Sequence, residues 1–362
     1  MVRSGILNSV HAFASDPTRG VFILALLALV IGGSLLLFAL RAPALAASGV
    51  FAPVSREGAL VLNNVLLCSL AAVVLTGTIY PMFASFVFND KLTVGPPYFH
   101  LTVVPLLVPL FAAMSVGPTL PWKRADLLPG LVRLWWAAAL AALVGIAAEA
   151  GLHNAFAAAG FAASAWLIVG AFAELVERVR LFRIPFAATR ARITAQPLAV
   201  WGAAIAHAGM GVTVAGIAGM ALSTSTIVSM RPGSTVAFGG YDWTLSGLRT
   251  APGPDYTARI GDLRVTRNGR QVALFHPARH TFTAQHQTVS DTAIQTNLLR
   301  DLYAVMGDEH DGQVVLRLHV NVLAPWIWLG ALVMAAGGGL SLADRRLRVG
   351  APARRGAATV PA

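Results

Sequence analysis

The residue that most invites chemistry is His207, which lies deep within the apolar stretch Leu198–Leu222. At about 1.5 Å per residue it stands roughly 14 Å from the start of that stretch, near the middle of a bilayer's hydrocarbon core. An ionisable side chain at this depth is costly, and it indicates a functional site by default. The imidazole could ligate haem iron or hydrogen-bond to a neighbouring helix.

Small residues follow His207 at intervals of four, since Gly211, Ala215 and Gly219 share its helical face. This face predicts a smooth groove beside the imidazole, and two interpretations of it remain open. One is a neighbouring helix packed on small residues, with the imidazole hydrogen-bonded across the interface. The other is a flat macrocycle whose iron His207 ligates, which requires a second histidine from another polypeptide or from a part of the protein outside this sequence.

A second candidate, His11, precedes Asp16 and Pro17, which end a helix-like stretch before the first apolar run. We expect it at the outer membrane interface, where it could face a hydrophobic ligand or be a solvated or carboxylate-paired side chain. The sequence contains no G-x-S-x-G, H-E-x-x-H or Walker A motif, so catalytic residues stay unknown. The single cysteine, Cys68, excludes a thiolate metal site built by this chain alone.

Composition indicates which elements must position these residues. The chain is 56% hydrophobic and only 12% charged, against about 25% charged in soluble domains. We therefore predict an all-α polytopic membrane protein with about seven transmembrane helices. The predicted spans are Val21–Leu40, Leu60–Tyr80, Tyr98–Val116, Leu131–Ala150, Ala155–Leu175, Leu198–Leu222 and Val322–Leu342.

Basic residues indicate the orientation of these spans, because Lys and Arg gather on the cytoplasmic side of membrane proteins. Arginines concentrate in one set of connections, whereas the opposite set holds only Arg3, Arg19 and Lys91. The N-terminus is therefore predicted to face outward and the C-terminus to be cytoplasmic; the resemblance described below implies that the membrane is a bacterial inner membrane and the outer side the periplasm. The net charge of +11 is explained by this topology and by contact with membrane lipid, and we expect no nucleic-acid partner.

Residues 223–321 fall between the last two spans and are predicted to form a small exported domain that is mainly β. The expected strands are Thr235–Phe238, Tyr241–Leu245, Arg264–Arg267, Gln271–Phe275 and Val314–Val320. Asn268-Gly269 predicts a type I′ hairpin, and Thr292–Met306 is predicted to be a short helix covering the sheet. The predicted divisions are thus an outer-face segment 1–20, a six-helix region 21–222, the periplasmic domain 223–321, a last span 322–342 and a basic cytoplasmic tail 343–362.

Several strings, in order along the chain, resemble the CcmF family, the haem-lyase component of bacterial cytochrome c maturation. The matching strings are Ser9–Gly20, Pro53–Glu57 followed by Asn63-Asn64, Val94–Phe99, Ala206–Gly209, and Arg300–Tyr303 with Asp344–Arg346. The resemblance implies a polytopic inner-membrane protein that receives haem from the chaperone CcmE. With CcmH-type thiol partners, such a protein promotes thioether attachment of haem to the CxxCH motif of an exported apocytochrome c.

The resemblance also implies roles for the two histidines. By its place in the motif, His207 matches an axial ligand of a buried haem b, and His11 matches a ligand of substrate haem at the outer face. The family's tryptophan-rich WWD segment, the histidine before it and the second buried axial histidine have no counterpart in this sequence. We therefore expect the C-terminal portion of a CcmF, or a subunit of a split one. It would hold half of each haem site, shared with the N-terminal CcmF portion, and be inactive as a haem lyase on its own.

The residues alone are also compatible with two other functions. A small-solute transporter could be lined by Asn63, Asn64, Glu149 and His207, although no inverted repeat is visible. An assembly scaffold without a cofactor would need none of these residues for chemistry. An absorption spectrum that shows bound haem would distinguish the haem-lyase hypothesis from the transporter and from the scaffold.

Overall fold

The computed structural model describes residues 17–45, 50–88, 94–283 and 287–344. Seven helices in these ranges are long and apolar enough to cross a membrane. A separate, mainly β domain is inserted between the last two of them. The predicted fold class, a polytopic helical protein with a β domain between its last two spans, is therefore confirmed. His11 and the basic tail from 345 onward lie outside the described residues.

The first of two compact units contains α1 (Pro17–Arg41), α2 (Arg56–Val87) and most of α3 (Pro96–Val116). Ser55 starts α2: its buried hydroxyl oxygen accepts a hydrogen bond from the Gly58 amide at 3.0 Å and donates one to the Ala52 carbonyl at 2.7 Å. The Tyr98 hydroxyl donates to the Val73 carbonyl at 3.0 Å and so ties α3 to α2. The string Pro53–Glu57 is thus the start of a helix, with Ser55 as its cap.

The second unit holds the remaining helices and the β domain. Its helices are α4 (Leu127–Arg133), α5 (Trp135–Leu152), α6 (Ala155–Val179), α7 (Phe186–Ala195), α8 (Leu198–Met220) and α9 (Ala324–Leu342). The predicted span Leu131–Ala150 is interrupted at Leu134, whose φ of −98° and ψ of 5° separate α4 from α5. Asn154 caps α6 through its side-chain oxygen, which accepts from the Ala157 amide at 3.0 Å.

Helices α8 and α9 approach each other backbone to backbone. A Cβ atom added to Gly337 of α9 would lie 2.5 Å from the Ala206 amide nitrogen, and one added to Gly330 would lie 2.5 Å from that of Thr213. On the facing helix, a Cβ on Gly209 would lie 2.7 Å from the Met334 nitrogen. Only glycine fits these positions, and the close approach lets small-residue packing hold two spans together where lipid is as apolar as protein.

In the described residues of the β domain, nine strands are joined by antiparallel pairing. Their order is β1-β9-β8-β7-β6-β4-β3-β2, with β5 also paired to β4. The strands are β1 (Thr224–Met230), β2 (Thr235–Phe238), β3 (Tyr241–Pro252), β4 (Tyr256–Arg267), β5 (Arg270–Phe275), β6 (Ala278–Phe282), β7 (Thr288–Thr296), β8 (Arg300–His310) and β9 (Gln313–Val322). Alternate residues of β3, β4, β8 and β9 bury one core around Trp243, which is fully buried.

The predicted hairpin is present, whereas the predicted helix is wrong. Asn268 and Gly269 have φ values of 50° and 74°, as a type I′ turn requires, and they join β4 to β5.

The segment predicted to be a helix, Thr292–Met306, instead forms the end of β7, a turn and the start of β8. The Asn297 side-chain oxygen makes that turn by accepting from the Leu299 and Arg300 amides at 2.9 and 3.0 Å. The alternately buried Leu302, Ala304 and Met306 of β8 pair along β9, so tertiary pairing decides the conformation and no helix covers the sheet.

The glycine seam between α8 and α9 gives a testable prediction with an internal control. Gly337→Ala should lower the thermal unfolding temperature of the purified chain in detergent, because its Cβ would meet the α8 backbone. Gly338→Ala should leave that temperature unchanged or raise it. No atom lies within 4 Å of a Cβ at Gly338, and alanine favours a helix interior by about 1 kcal/mol over glycine. Equal effects of the two substitutions would contradict the seam.

Candidate functional site

His207 lies near the middle of α8, between the face that packs on α9 and the face that packs on α6. Its neighbour Ala206 faces α9, where Gly337 approaches its backbone, while Gly211, one turn further on, faces α6. The His207 side chain is half-buried. Within the residues that the structure describes, its imidazole makes no hydrogen bond, and Glu174 of α6 is close enough to interact with it electrostatically. Both ring nitrogens are therefore available to a ligand.

The groove predicted along His207, Gly211, Ala215 and Gly219 is filled by protein. A Cβ on Gly211 would lie 2.5 Å from Cγ1 of Ile168, and one on Gly219 would lie 2.6 Å from Cβ of Leu323. These positions are buried, so they serve helix packing and leave no room for a macrocycle on that face. Of the two interpretations of this face, helix packing on small residues is confirmed, because α6 and the start of α9 use these residues for close approach, and a macrocycle on the same face is excluded.

An open flank lies on the other side of His207. Ala203, one turn earlier on the same side of α8, is exposed, and so is Ile217 further along the helix. The close contacts with α6 and α9 hold α8 in place.

Asp344 positions α8 from the far end of α9. Its carboxylate oxygen Oδ2 accepts a hydrogen bond from the Ala199 amide in the first turn of α8 at 3.1 Å. Pro197, the residue at the N-cap of α8, gives no side-chain cap of its own. Asp344 is 5% exposed, so its negative charge acts in a poorly solvated place at the positive end of a helix. Sequence reasoning found Asp344 only as part of a matching string, because capping from another span leaves no local pattern.

The other described histidines lie elsewhere. His100 is near the start of α3, and His153 ends α5 in a left-handed conformation with φ of 50°. In the β domain, Nδ1 of His276 lies 2.7 Å from Asp262 Oδ1. His319 stacks edge-on against Tyr303 at 5.1 Å, and burial, together with the nearby Arg317 charge, holds its pKa below the ordinary value. Among the described spans, none of these shares the depth of His207.

A polar cluster that the sequence did not reveal lies at the end of the β domain beside α9. Tyr241 is 2% exposed, and the guanidinium carbons of Arg300 and Arg267 lie 5.0 and 5.6 Å from its ring centroid. The Tyr241 hydroxyl, Arg300 Nε and an oxygen of Asp301 are buried without a hydrogen-bond partner among the described residues. Buried polar atoms of this kind require a partner, so the cluster can receive a polar or anionic group.

Sites of other kinds find less support. Among the described residues, no group of three or more His, Cys, Asp or Glu side chains could hold a metal ion. Asn63 and Asn64 belong to the first unit, and their side chains contact each other at 3.5 Å. Glu149 is exposed on α5.

The domain between the last two spans matches a known family. Residues 221–322 match the family described as the CcmF C-terminal beta-sandwich. This range begins at the end of α8 and ends with β9, so it contains all nine strands.

Similarity to known proteins extends over nearly the whole chain. The chain is 44% identical to the cytochrome c-type biogenesis protein CycK of Rhizobium meliloti, over 98% of this chain and 53% of CycK. It is 39% identical to CcmF of Pseudomonas aeruginosa, over 96% of this chain and 53% of that protein. A solved structure of the cytochrome c heme lyase CcmF matches with a TM-score of 0.64 and 25% identity, over 81% of this chain and 46% of the other. The chain thus spans about half the length of the curated relatives it matches.

The Asp344 contact predicts a graded loss of stability. Asp344→Ala removes both the acceptor and the charge at the start of α8, so it should lower the free energy of unfolding by about 1 kcal/mol. Asp344→Asn keeps an acceptor oxygen and should cost less. Thermal unfolding of the purified variants in detergent measures both. An asparagine variant as unstable as the alanine variant would contradict a capping role.

Proposed function

Since the chain belongs to the CcmF family of cytochrome c-type biogenesis proteins and corresponds to its C-terminal portion, we propose that it forms part of a membrane haem lyase. In this function it holds haem and helps its transfer from a haem chaperone to the CxxCH motif of an apocytochrome c. The lyase is completed by the portion of the family that this chain does not span.

One observation carries the proposal: a mid-span imidazole without a hydrogen bond among the described residues, beside an open flank of its helix. A polar side chain in the middle of a membrane normally pairs with another polar group. The residues present fit half of a bis-histidine haem site, since His207 supplies one ligand and the described spans contain no second histidine at that depth. The second imidazole belongs to the N-terminal CcmF portion or another polypeptide.

In this chemistry the protein itself orients the haem and keeps water away from it. A bound haem b supplies an iron that takes up and releases one electron, and thioether formation needs ferrous haem and reduced cysteines. His207 would bind the haem iron from a helix that is fixed by the α9 seam on one side and by α6 on the other. The apolar residues around it keep water from the site.

A second haem contact is proposed at the base of the β domain. Arg267 and Arg300 carry two positive charges against the one negative charge of Asp301, so they offer donors to an anion at the end of the domain beside α9. The two propionates of a haem are carboxylates, and arginine is suited to bind carboxylates with paired hydrogen bonds. We place the propionates of substrate haem here, at the outer face. The iron ligand that the resemblance implies, His11, lies outside the described residues. CcmE would deliver this haem, and apocytochrome c and a CcmH-type thiol protein would approach from the same side.

The proposal also states which membrane contains the chain and on which side each terminus lies. The relatives' role in cytochrome c biogenesis supports a bacterial inner membrane. The distribution of Lys and Arg supports an orientation with the N-terminus and the β domain periplasmic and the C-terminus cytoplasmic. Apocytochromes are exported, so the β domain and the arginine-tyrosine cluster are then on the side where haem is attached.

His207→Ala should remove the absorption bands of the buried haem. The test uses the chain co-expressed with a polypeptide that carries the WWD segment, because two axial ligands are needed. We expect the reduced b-type bands to fall to less than about a tenth, since a bis-histidine site does not survive loss of one ligand. Membrane insertion should persist, because alanine favours helix.

A matched control is His310→Ala, which removes an exposed histidine of the β domain. This variant should keep the reduced b-type bands. An unchanged spectrum in His207→Ala would assign His207 to packing and leave the transporter and the cofactor-free scaffold as the functions to test. Loss of the protein itself would indicate a structural role.

His11→Ala should affect a different haem. In the co-expressed pair we expect lower haem occupancy at the outer face and a lower yield of cytochrome c, while the b-type bands persist. His11 is predicted at the membrane surface and His207 roughly 14 Å inside, so the two substitutions should act independently. Quantitative haem extraction with reduced spectra measures both. Simultaneous loss of both haem signals would contradict two separate sites.

A further inference from the structure

A basic pocket lies at the end of the helices opposite the β domain. It has a volume of about 770 Å³, and its lining includes Arg133, Trp136, Arg180, Arg183 and Glu177. The other end of α6 is beside the β domain, because the Asn154 side chain reaches the Ala221 carbonyl at 3.5 Å just before β1. The haem sites proposed above do not use this pocket, and a ligand could bind here whether or not haem is bound.

The pocket carries more positive charge than its own side chains neutralise. Arg183 donates to both oxygens of Glu177, at 3.1 and 2.9 Å, and so forms one ion pair. Arg133 and Arg180 make no ion pair within the part of the chain that the structure describes. Their two guanidinium groups remain available to an anion, and arginine is suited to phosphate because its planar fork presents several donors at once.

Arg180 occupies a backbone conformation that does not favour it. It ends α6 with φ of 51°, in the left-handed region where glycine is the usual residue. The Arg180 amide bonds to the Glu177 carbonyl and the Leu181 amide to the Val176 carbonyl, which closes the helix end and projects this arginine beside the pocket. Glycine would adopt this backbone conformation at a lower energy. The presence of arginine at position 180 is therefore explained by its positive charge.

Large apolar side chains surround the cations at the same end of the helices. Trp135, which also lines the pocket, is 68% exposed, Phe182 is 93% exposed and Phe186 is 79% exposed. Trp135 begins the span α5 and Arg180 follows the end of the span α6, so this group lies where a spanning helix leaves the bilayer. Aromatic rings beside arginines are typical of the level of lipid headgroups.

We propose that this pocket binds the phosphate of an anionic phospholipid. Arg133 and Arg180 contact the phosphate, Arg183 adds charge while paired with Glu177, and Trp135 and Phe182 lie among the acyl chains near the headgroup. A soluble phosphate compound would find the same guanidinium groups but would gain nothing from the exposed aromatic side chains. The combination therefore favours lipid over a soluble anion.

Lipid titration of the purified chain in mild detergent, followed by native mass spectrometry, tests the site. We expect phosphatidylglycerol to bind about tenfold more tightly than phosphatidylcholine. Arg133→Gln and Arg180→Gly should each weaken phosphatidylglycerol binding about fivefold, the effect of one basic residue at a membrane surface. Arg190→Gln and Arg192→Gln serve as controls, because both arginines are exposed on α7 at the same end of the molecule but do not line the pocket.

Arg180→Gly separates binding from folding. Glycine suits the left-handed position, so this variant should unfold at the same or a higher temperature without lipid while binding less phosphatidylglycerol. If its stability falls, Arg133→Gln, which breaks no ion pair among the described residues, decides the question. Retained lipid preference in that variant would overturn the proposal. Equal weakening by the α7 controls, or inorganic phosphate that competes as well as the lipid, would also overturn it.

Discussion

The backbone contact between α8 and α9 is the interaction on which the rest of the second unit depends. Within lipid there is no hydrophobic gain from burying one apolar helix against another, so association depends on close packing. Glycines on both helices allow it, and Asp344 adds a hydrogen bond from the end of α9 to the start of α8. The seam leaves His207 at its edge, beside an open flank, and fixes the helix that carries it.

Much of the architecture could be predicted from the sequence because apolar length is a strong signal. The spans Ala155–Leu175 and Leu198–Leu222 begin at the residues where α6 and α8 begin. The helix break at Leu134 and the short helix α7 were not predicted. The break at Leu134 leaves the segment apolar, so hydropathy does not detect it. Helix α7 carries two arginines and lies between two spans, so a search for apolar segments does not find it. Strand β2 and the Asn268-Gly269 turn were found because alternation and turn chemistry are local.

The errors share one physical cause, which is that contacts distant in sequence decided the outcome. Thr292–Met306 became strand because β8 pairs with β9, and the groove beside His207 closed because α6 packs on Gly211. The cluster of Tyr241, Arg267 and Arg300 joins three strands, and its members give no signal separately. The role proposed for His207 rests on its depth in the span and on the family resemblance. A second ligand for a shared haem site would lie outside this chain, so this sequence carries no signal for it.

The β domain begins and ends at one place, which bears on the order in which the chain folds. Thr224 pairs with Val320, and the Ser223 hydroxyl oxygen accepts from the Val322 amide at 2.9 Å, so the strands that leave α8 and enter α9 are neighbours. Closing so long a loop between two spans would ordinarily carry an entropic cost. A domain that folds first removes most of this cost, because it delivers the start of α9 to the end of α8. Folding of the β domain before α9 inserts would therefore place the last membrane span beside the span it packs against.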